Sequence, residues 1–153
     1  MSVDEVRKFV QENKIDAEFI EHHDSDGLTS EGAAAAVNVP LSQIIKVLCF
    51  VDGKGNKCFV IIQGSKKVDD KKIPGLKKPR MANGEELNAW FGLEPGCVPP
   101  INLPAETQKY VDVGILELPF VVGSAGSRFI GIKIKPEYIL KQENAHVADL
   151  AAH

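Results

Sequence analysis

The stretch IIKVLCFV, residues 44–51, decides the fold of this 153-residue chain. Its side chains are apolar on both alternating faces, a pattern typical of a strand that is covered on both sides. The turn residues DGKGN at 52–56 lead to a second apolar run, KCFVIIQ at 57–63, so the two segments predict a β-hairpin. We therefore expect residues 44–51 to form a central strand. Its two faces are Ile45, Val47, Cys49 and Val51 on one side and Ile44, Leu48 and Phe50 on the other.

Helices and further strands are predicted on both sides of this hairpin. Helical spacing, capping residues and a proline at a helix start predict helices over residues 3–14, 31–37, 83–91 and 136–142, with one more turn at 41–43. Alternating apolar runs predict strands over residues 17–22, 109–113, 118–122, 129–134 and 146–150. The segment from Gly92 to Pro104 is too rich in glycine and proline for regular structure. These connections do not fit a doubly wound array, so we expect an α+β fold with a mixed, mostly antiparallel sheet and flanking helices.

Composition limits the class of protein. Hydrophobic residues make up 44% and charged residues 25% of the chain, which is the balance of a soluble globular protein, and the length predicts one domain over residues 1–153. No apolar run is long enough to cross a membrane, and the first ten residues lack the apolar core of a secretory signal. Three cysteines without a CxxC pair indicate a reducing cytoplasm rather than a disulfide framework.

Positive charge is concentrated in one segment of an acidic chain. Between Lys66 and Arg80, seven cations face two aspartates, a local charge of +5 in a chain whose net charge is −3. Such a segment is either a solvated lysine-rich loop around Pro74-Gly75 or a surface that faces phosphates. The cations are Lys66, Lys67, Lys71, Lys72, Lys77, Lys78 and Arg80.

Lys46 is the single charge within the apolar strand 44–51. An ammonium at that position either reaches the strand edge through its aliphatic stem or faces a pocket where a negative group meets it. In the second case it would act as an electrostatic clamp for a phosphate, a carboxylate or a developing oxyanion.

Two glycine-containing loops are further candidates. In Gly96-Cys97-Val98-Pro99-Pro100-Ile101-Asn102 the prolines restrict the backbone and the glycine permits close approach, so the segment is either a structural turn or a rigid loop that presents amide N–H groups. Gly123-Ser124-Ala125-Gly126-Ser127 is predicted to be a turn between two strands, with donors that could line a cleft. Cys97 is a candidate nucleophile, but no histidine stands in a cysteine-hydrolase context.

Two acidic features have simple structural explanations. Asp112 ends a predicted strand, where it either caps the strand or pairs with a cation or ribose hydroxyl. The run His22-His23-Asp24-Ser25-Asp26 has the composition of a metal site, yet adjacent histidines on a strand point to opposite faces and no further ligand cluster completes a site. We therefore expect no bound metal.

Taken together, these motifs resemble the YbaK/prolyl-tRNA synthetase-associated domain family, in an order that covers about Ala17 to Leu150. The motifs are the strand with Lys46, the Gly96-x-x-x-Pro100 loop, Asp112, Gly123-Ser124-Ala125-Gly126 and the terminal Ala145-His146-Val147-Ala148-Asp149-Leu150. Members of that family are trans-editing aminoacyl-tRNA deacylases or editing domains inserted in prolyl-tRNA synthetases.

The resemblance implies a role for each matched residue. Lys46 matches the functional lysine and Gly96 to Pro100 the GxxxP loop, while Asp112 and Ser124 match the pocket aspartate and the serine of the glycine turn. Thr29 lies where members vary the amino-acid pocket. The loop departs from the family at Cys97, Val98-Pro99 and Asn102, although asparagine tolerates the left-handed backbone that a glycine would adopt.

The implied function is hydrolysis of the ester bond of mischarged aminoacyl-tRNA that carries a small amino acid. Such an ester is already activated, so positioning a water and stabilising the oxyanion suffice. The expected substrate-binding residues are Thr29, Asp112, Gly123, Ser124 and Gly126, and the basic segment is expected to contact the acceptor stem. Mischarged tRNA and an aminoacyl-tRNA synthetase are the implied partners, without cofactor, DNA or membrane. Two alternatives stay open, a non-catalytic module that binds a tRNA end or synthetase and a Cys97 thiol enzyme.

Overall fold

The computed structural model describes residues 1–21 and 30–152, and within them the chain forms helices α1–α4 and strands β1–β8. The helices are α1 Val3–Glu12, α2 Ser30–Val37, α3 Gly84–Phe91 and α4 Pro136–Leu140. The strands are β1 Glu18–Glu21, β2 Ile45–Val51, β3 Lys57–Gln63, β4 Arg80–Met81, β5 Gln108–Asp112, β6 Val121–Ser127, β7 Ile130–Ile134 and β8 Ala145–Ala148. Short 3-10 turns occupy Leu41–Gln43, Asp70–Lys72 and Val113–Ile115.

The strands divide between two sheets rather than forming one. The larger sheet has the order β4-β2-β3-β5-β8 and the smaller one β1-β7-β6. Among the described residues, four strand pairs are antiparallel, and the pairs β3–β5 and β5–β8 are parallel. The predicted α+β fold with mixed, mostly antiparallel pairing is therefore confirmed. The two sheets meet at an isolated bridge between Ile44 and Val122.

The β2–β3 hairpin forms in the predicted register and is covered on both faces. Val47 pairs with Ile61, and alternating residues of both strands enter two separate apolar clusters. One cluster contains Ile45, Val47 and Cys49, while Phe50 and the partly buried Leu48 belong to the other. In the strand order β3 is central and β2 lies next to it, and among the described residues β4 pairs with only Phe50 and Val51 of β2.

Capping boxes and a proline mark three of the helix starts. Ser2 with Glu5 and Asn83 with Glu86 form capping boxes at the starts of α1 and α3, and Pro136 stands in the first turn of α4. In the described ranges, no helix combines the length and the apolar character needed to cross a bilayer.

The predicted strand at 118–122 and the predicted glycine turn after it are wrong. Strand β6 begins at Val121 and continues through the glycine segment to Ser127, with an irregular register between Ser124 and Ser127. Glycine in a strand often marks such a bulge. The connection to β7 lies two residues further along, at Arg128-Phe129.

Candidate functional site

A cavity of about 240 Å³ lies beside the outer edge of β2, near the bridge between the sheets. Its walls come from β2, from α2, from the irregular loop after α3 and from the β6–β7 hairpin, which are distant in sequence. Lys46, Gly96, Val98 and Ser124 line it together. The structure therefore brings the predicted lysine, the predicted loop and the predicted serine to one place. A larger cavity of about 500 Å³ beside α1 contains neither Lys46 nor residues 96–100.

The Lys46 side chain is half-buried at this cavity. Within the described part of the chain, its ammonium forms no hydrogen bond or ion pair. Burial, and secondarily the positive charge of Lys67, lowers the pKa of Lys46 from its ordinary value of 10.5. A desolvated cation without an internal partner is electrostatically prepared to receive an anionic group.

The Gly96–Pro100 loop is held in a defined shape. Gly96 has φ +78°, a left-handed conformation that glycine adopts without strain, and Pro99 and Pro100 are buried. A methyl group on Gly123 would stand 3.2 Å from Cγ and Cδ of Pro100, so the absence of a side chain there lets β6 approach the loop. Asn102 adopts φ 57°, which confirms that asparagine takes a left-handed position after the loop.

Gln142, which the sequence analysis missed, fastens the end of this loop. Its Nε2 donates to the Pro100 carbonyl at 2.8 Å and to the Ile139 carbonyl at 3.0 Å, while its Oε1 accepts from the Leu103 N–H at 3.1 Å. The one amide thus joins the loop to the C-terminal end of α4. No local pattern predicts this contact, because it links residues 42 positions apart.

Cys97 does not line the cavity, although both of its neighbours Gly96 and Val98 do. Burial, and secondarily the charge of Glu94, raises the pKa of its thiol. A raised pKa opposes formation of the thiolate that nucleophilic catalysis needs. All three cysteines are free thiols, and the Cys97 enzyme alternative finds no support in this geometry.

Ser124 is the member of the glycine segment that reaches the cavity. Its hydroxyl donates to the Ser127 carbonyl at 3.2 Å and accepts from the Gly126 N–H at 3.1 Å, which holds the bulge of β6 closed. Gly123 packs behind the loop, and Gly126, with φ +103°, faces the backbone of Met1 and Ser2. Gly123 and Gly126 thus shape the wall without lining this cavity, and their substrate contacts stay a prediction.

Asp112 is not among the residues that line this cavity, and its role in substrate binding stays a prediction. The residue is 1% exposed, and its carboxylate accepts from the Leu150 N–H at 2.8 Å and from the Gly114 N–H at 3.1 Å. It is the cap of the 3-10 turn that follows β5. Both carboxylate oxygens are occupied by backbone donors, which is the strand-end explanation that the sequence left open.

Two predictions fall on residues that the structure does not describe. Thr29, expected to shape the amino-acid pocket, and the run His22 to Asp26 lie between the described ranges 1–21 and 30–152. Among the residues that are described, no group of three histidine, cysteine or acidic side chains is arranged to hold a metal ion.

Arg128 and the backbone of β2 are features of the site that the sequence analysis did not identify. Arg128 is exposed at the tip of the β6–β7 hairpin and borders the cavity opposite β2. With Lys46 it places two cations at the cavity, whereas none of the described lining residues is acidic. The signal for Arg128 was its position after the glycine segment, which was expected to be a turn.

The basic segment divides into paired and unpaired cations. Arg80 binds Glu86 through two hydrogen bonds of 2.7 Å, and Lys72 contacts Asp149 at 3.5 Å and donates to the Ala151 carbonyl at 2.8 Å. Within the described residues the other lysines of the segment form no ion pair; they are Lys66, Lys67, Lys71, Lys77 and Lys78. Of these, Lys67 lies near enough to Lys46 to affect its pKa.

Comparisons with known proteins agree on one family. The model of the aminoacyl-tRNA editing domain matches residues 24–141. The Enterococcus faecalis protein named "Putative Cys-tRNA(Pro)/Cys-tRNA(Cys) deacylase EbsC" is 28% identical over 128 residues, which are 82% of this chain and 78% of that protein. A proline–tRNA ligase of Herminiimonas arsenicoxydans is 32% identical over 105 residues, 61% of this chain but 18% of the ligase. A crystal structure described as "a putative trans-editing enzyme for prolyl tRNA synthetase" superposes with a TM-score of 0.84 at 26% identity, covering 100% of this chain and 99% of that one.

Proposed function

Because this chain belongs to the family of aminoacyl-tRNA editing domains, we propose that it hydrolyses mischarged aminoacyl-tRNA, acting in trans on esters of small amino acids. One observation carries the proposal. A cation without a partner among the described residues, a proline-fixed loop and a serine, which come from three distant segments, border the same cavity. Such an arrangement offers a ligand positive charge and backbone N–H donors, so the protein need not supply a covalent nucleophile.

The proposed reaction needs positioning rather than a covalent intermediate. The oxygen of a water adds to the ester carbon, the bond from that carbon to the ribose oxygen breaks, and one water proton passes to the ribose. The backbone N–H groups of Gly96 and Val98, which line the cavity, stabilise the oxyanion, while Lys46 anchors the terminal phosphate or ribose edge of the tRNA. The free ribose hydroxyl of the substrate orients the water.

The apolar lining of the cavity supports an amino acid with an uncharged side chain. About 240 Å³ must hold the aminoacyl group, and the apolar side chains of Ile45, Val98 and Ile130 line part of it. A pocket discriminates one methylene by about 1–3 kcal/mol, so a close wall rejects longer side chains more effectively than shorter ones. Alanine, serine, threonine and cysteine are the proposed amino acids.

The unpaired part of the basic segment is proposed to contact the acceptor stem. Lys67 is close to Lys46, whereas Arg80 is engaged by Glu86. We expect Lys67→Ala to reduce the slope of log affinity against log salt by about one charge. Arg80→Ala is the matched control and should change the slope much less. Equal effects of the two substitutions would contradict this assignment.

The test is incubation of the purified protein with a panel of tRNAs, each charged with one amino acid, cognate or mischarged. Release of a small amino acid from a mischarged tRNA, with cognate esters spared, supports the proposal. Protection of every ester against spontaneous hydrolysis would instead identify a binding module. Repeating the panel with the synthetase of the same tRNA tests whether that proposed partner contributes specificity. In the cell we propose that the reaction takes place in the cytoplasm, where the three free thiols stay reduced.

A further inference from the structure

The cavity is bordered by the edge of β2 and not by one of its faces. Five consecutive residues, Ile44 to Leu48, line it. Since side chains of a strand alternate between its two faces, a run of neighbours can border one cavity only along the strand edge. The edge consists of backbone N–H and C=O groups, so the wall of the cavity includes main-chain donors and acceptors.

Alternation identifies which residue presents these groups. The Ile44 carbonyl accepts from the Gly64 N–H on the β3 side, whereas the Cys49 carbonyl accepts from the Ala82 N–H on the opposite side. Backbone groups of every second residue point to the same edge, so those of Val47 point the same way as those of Cys49, into the cavity. On that side, two contacts flank Val47 along the chain. The Ile44–Val122 bridge precedes it, and the bond from the Ala82 N–H to the Cys49 carbonyl follows it. Within the described residues, the N–H and C=O of Val47 are left between them without a strand partner.

We propose that the aminoacyl group of the substrate binds Val47 as a one-residue strand. Its α-ammonium donates to the Val47 carbonyl, and its ester carbonyl accepts from the Val47 N–H. This inference rests on the proposed function and adds to it the chemistry by which an α-amino ester is recognised.

The chemistry of the ligand matches this edge in two ways. In a hydrogen-bonded antiparallel pair, two residues exchange both N–H···O bonds, and an aminoacyl ester carries one donor and one carbonyl on either side of its Cα, as a single strand residue does. The α-ammonium also requires an acceptor, and the described lining of the cavity holds the cations Lys46 and Arg128 but no carboxylate. A backbone carbonyl at this edge supplies an acceptor for the ammonium where the described lining has no carboxylate.

The Val47 N–H would also contribute to catalysis. An ester carbonyl can accept two hydrogen bonds, one from β2 and one from the Gly96–Pro100 loop, which also borders the cavity. Both bonds strengthen as negative charge develops on this oxygen, and a single donor of this kind changes kcat by about 100- to 1000-fold.

The first test removes the donor from the protein. Proline is tolerated on a strand edge whose N–H has no strand partner, so Val47→Pro deletes this N–H, and Val47→Ala reports the effect of the side chain alone. Circular dichroism and thermal melting establish that both variants fold. We expect kcat/KM of Val47→Pro to lie about 100-fold below that of Val47→Ala. A ratio within about threefold would overturn the proposal.

The second test removes the donor from the substrate. It can still overturn the proposal if Val47→Pro does not fold. The same tRNA is esterified with an amino acid that the protein releases or with the acid of equal length that lacks the amino group. Each enzymatic rate is divided by the spontaneous hydrolysis rate of the same ester at the same pH. Loss of a charged hydrogen bond should lower the normalised rate by about 10- to 150-fold, and equal normalised rates overturn the proposal.

Different results would overturn the proposed function and the assignment of Val47. A wild-type protein that releases no amino acid from any tRNA of the panel overturns the proposed function and this inference with it. A wild-type protein that deacylates, together with a folded Val47→Pro variant as active as Val47→Ala, overturns the Val47 assignment alone.

Discussion

Replacing Lys46 by alanine is the most informative perturbation of this site, because the ammonium has no described partner to leave behind. A unit charge about 4 Å from a phosphate contributes about 4 kcal/mol at an effective dielectric constant of 20. Desolvation offsets part of this, and hydrogen bonds to charged groups are worth about 1.5–3 kcal/mol net. We therefore expect kcat/KM for deacylation to fall about 10- to 150-fold.

The stability of the Lys46→Ala protein should change little, because two effects of the substitution oppose each other. Burial lowers the folded-state pKa of Lys46 below 10.5, so the folded protein carries an unfavourable ammonium. That penalty is fully present below the lowered pKa and disappears as the pH rises through it toward 10.5. Lys46→Ala removes the penalty at neutral pH but also removes the packed aliphatic stem. The unfolding free energy should stay within about 1 kcal/mol of the parent.

The assay measures release of a labelled amino acid from mischarged tRNA at several salt concentrations and pH values. Lys54→Ala is the matched control, because it removes one exposed lysine at the turn end of the same hairpin. Lys46→Arg retains the charge and should recover part of the rate. If activity requires the ammonium, the wild-type rate should fall as the pH rises, with a midpoint below 10.5. A folded Lys46→Ala protein that retains kcat/KM within about threefold of Lys54→Ala would refute the reasoning.

Three further substitutions test the support of the site. Gln142→Leu leaves the Pro100 carbonyl and the Leu103 N–H without their partner. This loss should lower the unfolding free energy measured in urea by about 1–3 kcal/mol and should lower kcat. Gln142→His should recover activity only if the contacts with the loop return. Gly123→Ala places a methyl group 3.2 Å from Pro100, so deacylation should fall more than in Gly53→Ala, where the added methyl meets nothing within 4 Å; equal activities would show that the loop yields freely. Cys97→Ser should retain most activity, and alkylation of the wild type should leave turnover unchanged, because the raised pKa of the thiol opposes a nucleophilic role. If alkylation inactivates the wild type but not the Cys97→Ser variant, the thiol-enzyme alternative is restored.

Much of the architecture follows from local patterns. The apolar runs at 44–51 and 57–63 predicted a hairpin, and Asn83 as a cap predicted the start of α3, because side-chain alternation and terminal hydrogen bonds depend on neighbours in sequence. The strand boundary at β6 was misplaced for a related reason. Glycine favours turns and bulges alike, and only pairing with β7 selects the bulge.

Some features of the site are evident from the sequence, whereas others depend on the tertiary structure. Lys46 stands out in the sequence because a charge within a two-faced apolar strand needs an explanation, and the Gly96–Pro100 loop because proline restricts its backbone. An aspartate at position 112 could cap a turn or bind a ligand. Only the tertiary structure places its carboxylate against the Leu150 N–H, where it also caps the 3-10 turn after β5. The contact of Gln142 with the loop similarly depends on how α4 packs.

The sequence by itself determined the hairpin, its two faces and the lone cation, since these depend on periods of two residues and on residue chemistry. Tertiary structure decided that β4 is too short to cover β2 and that the second sheet meets it at one bridge. That packing leaves Val47 without a strand partner on its outer side among the described residues. A gap between neighbouring strands depends on where distant segments end, and no residue type along β2 encodes it.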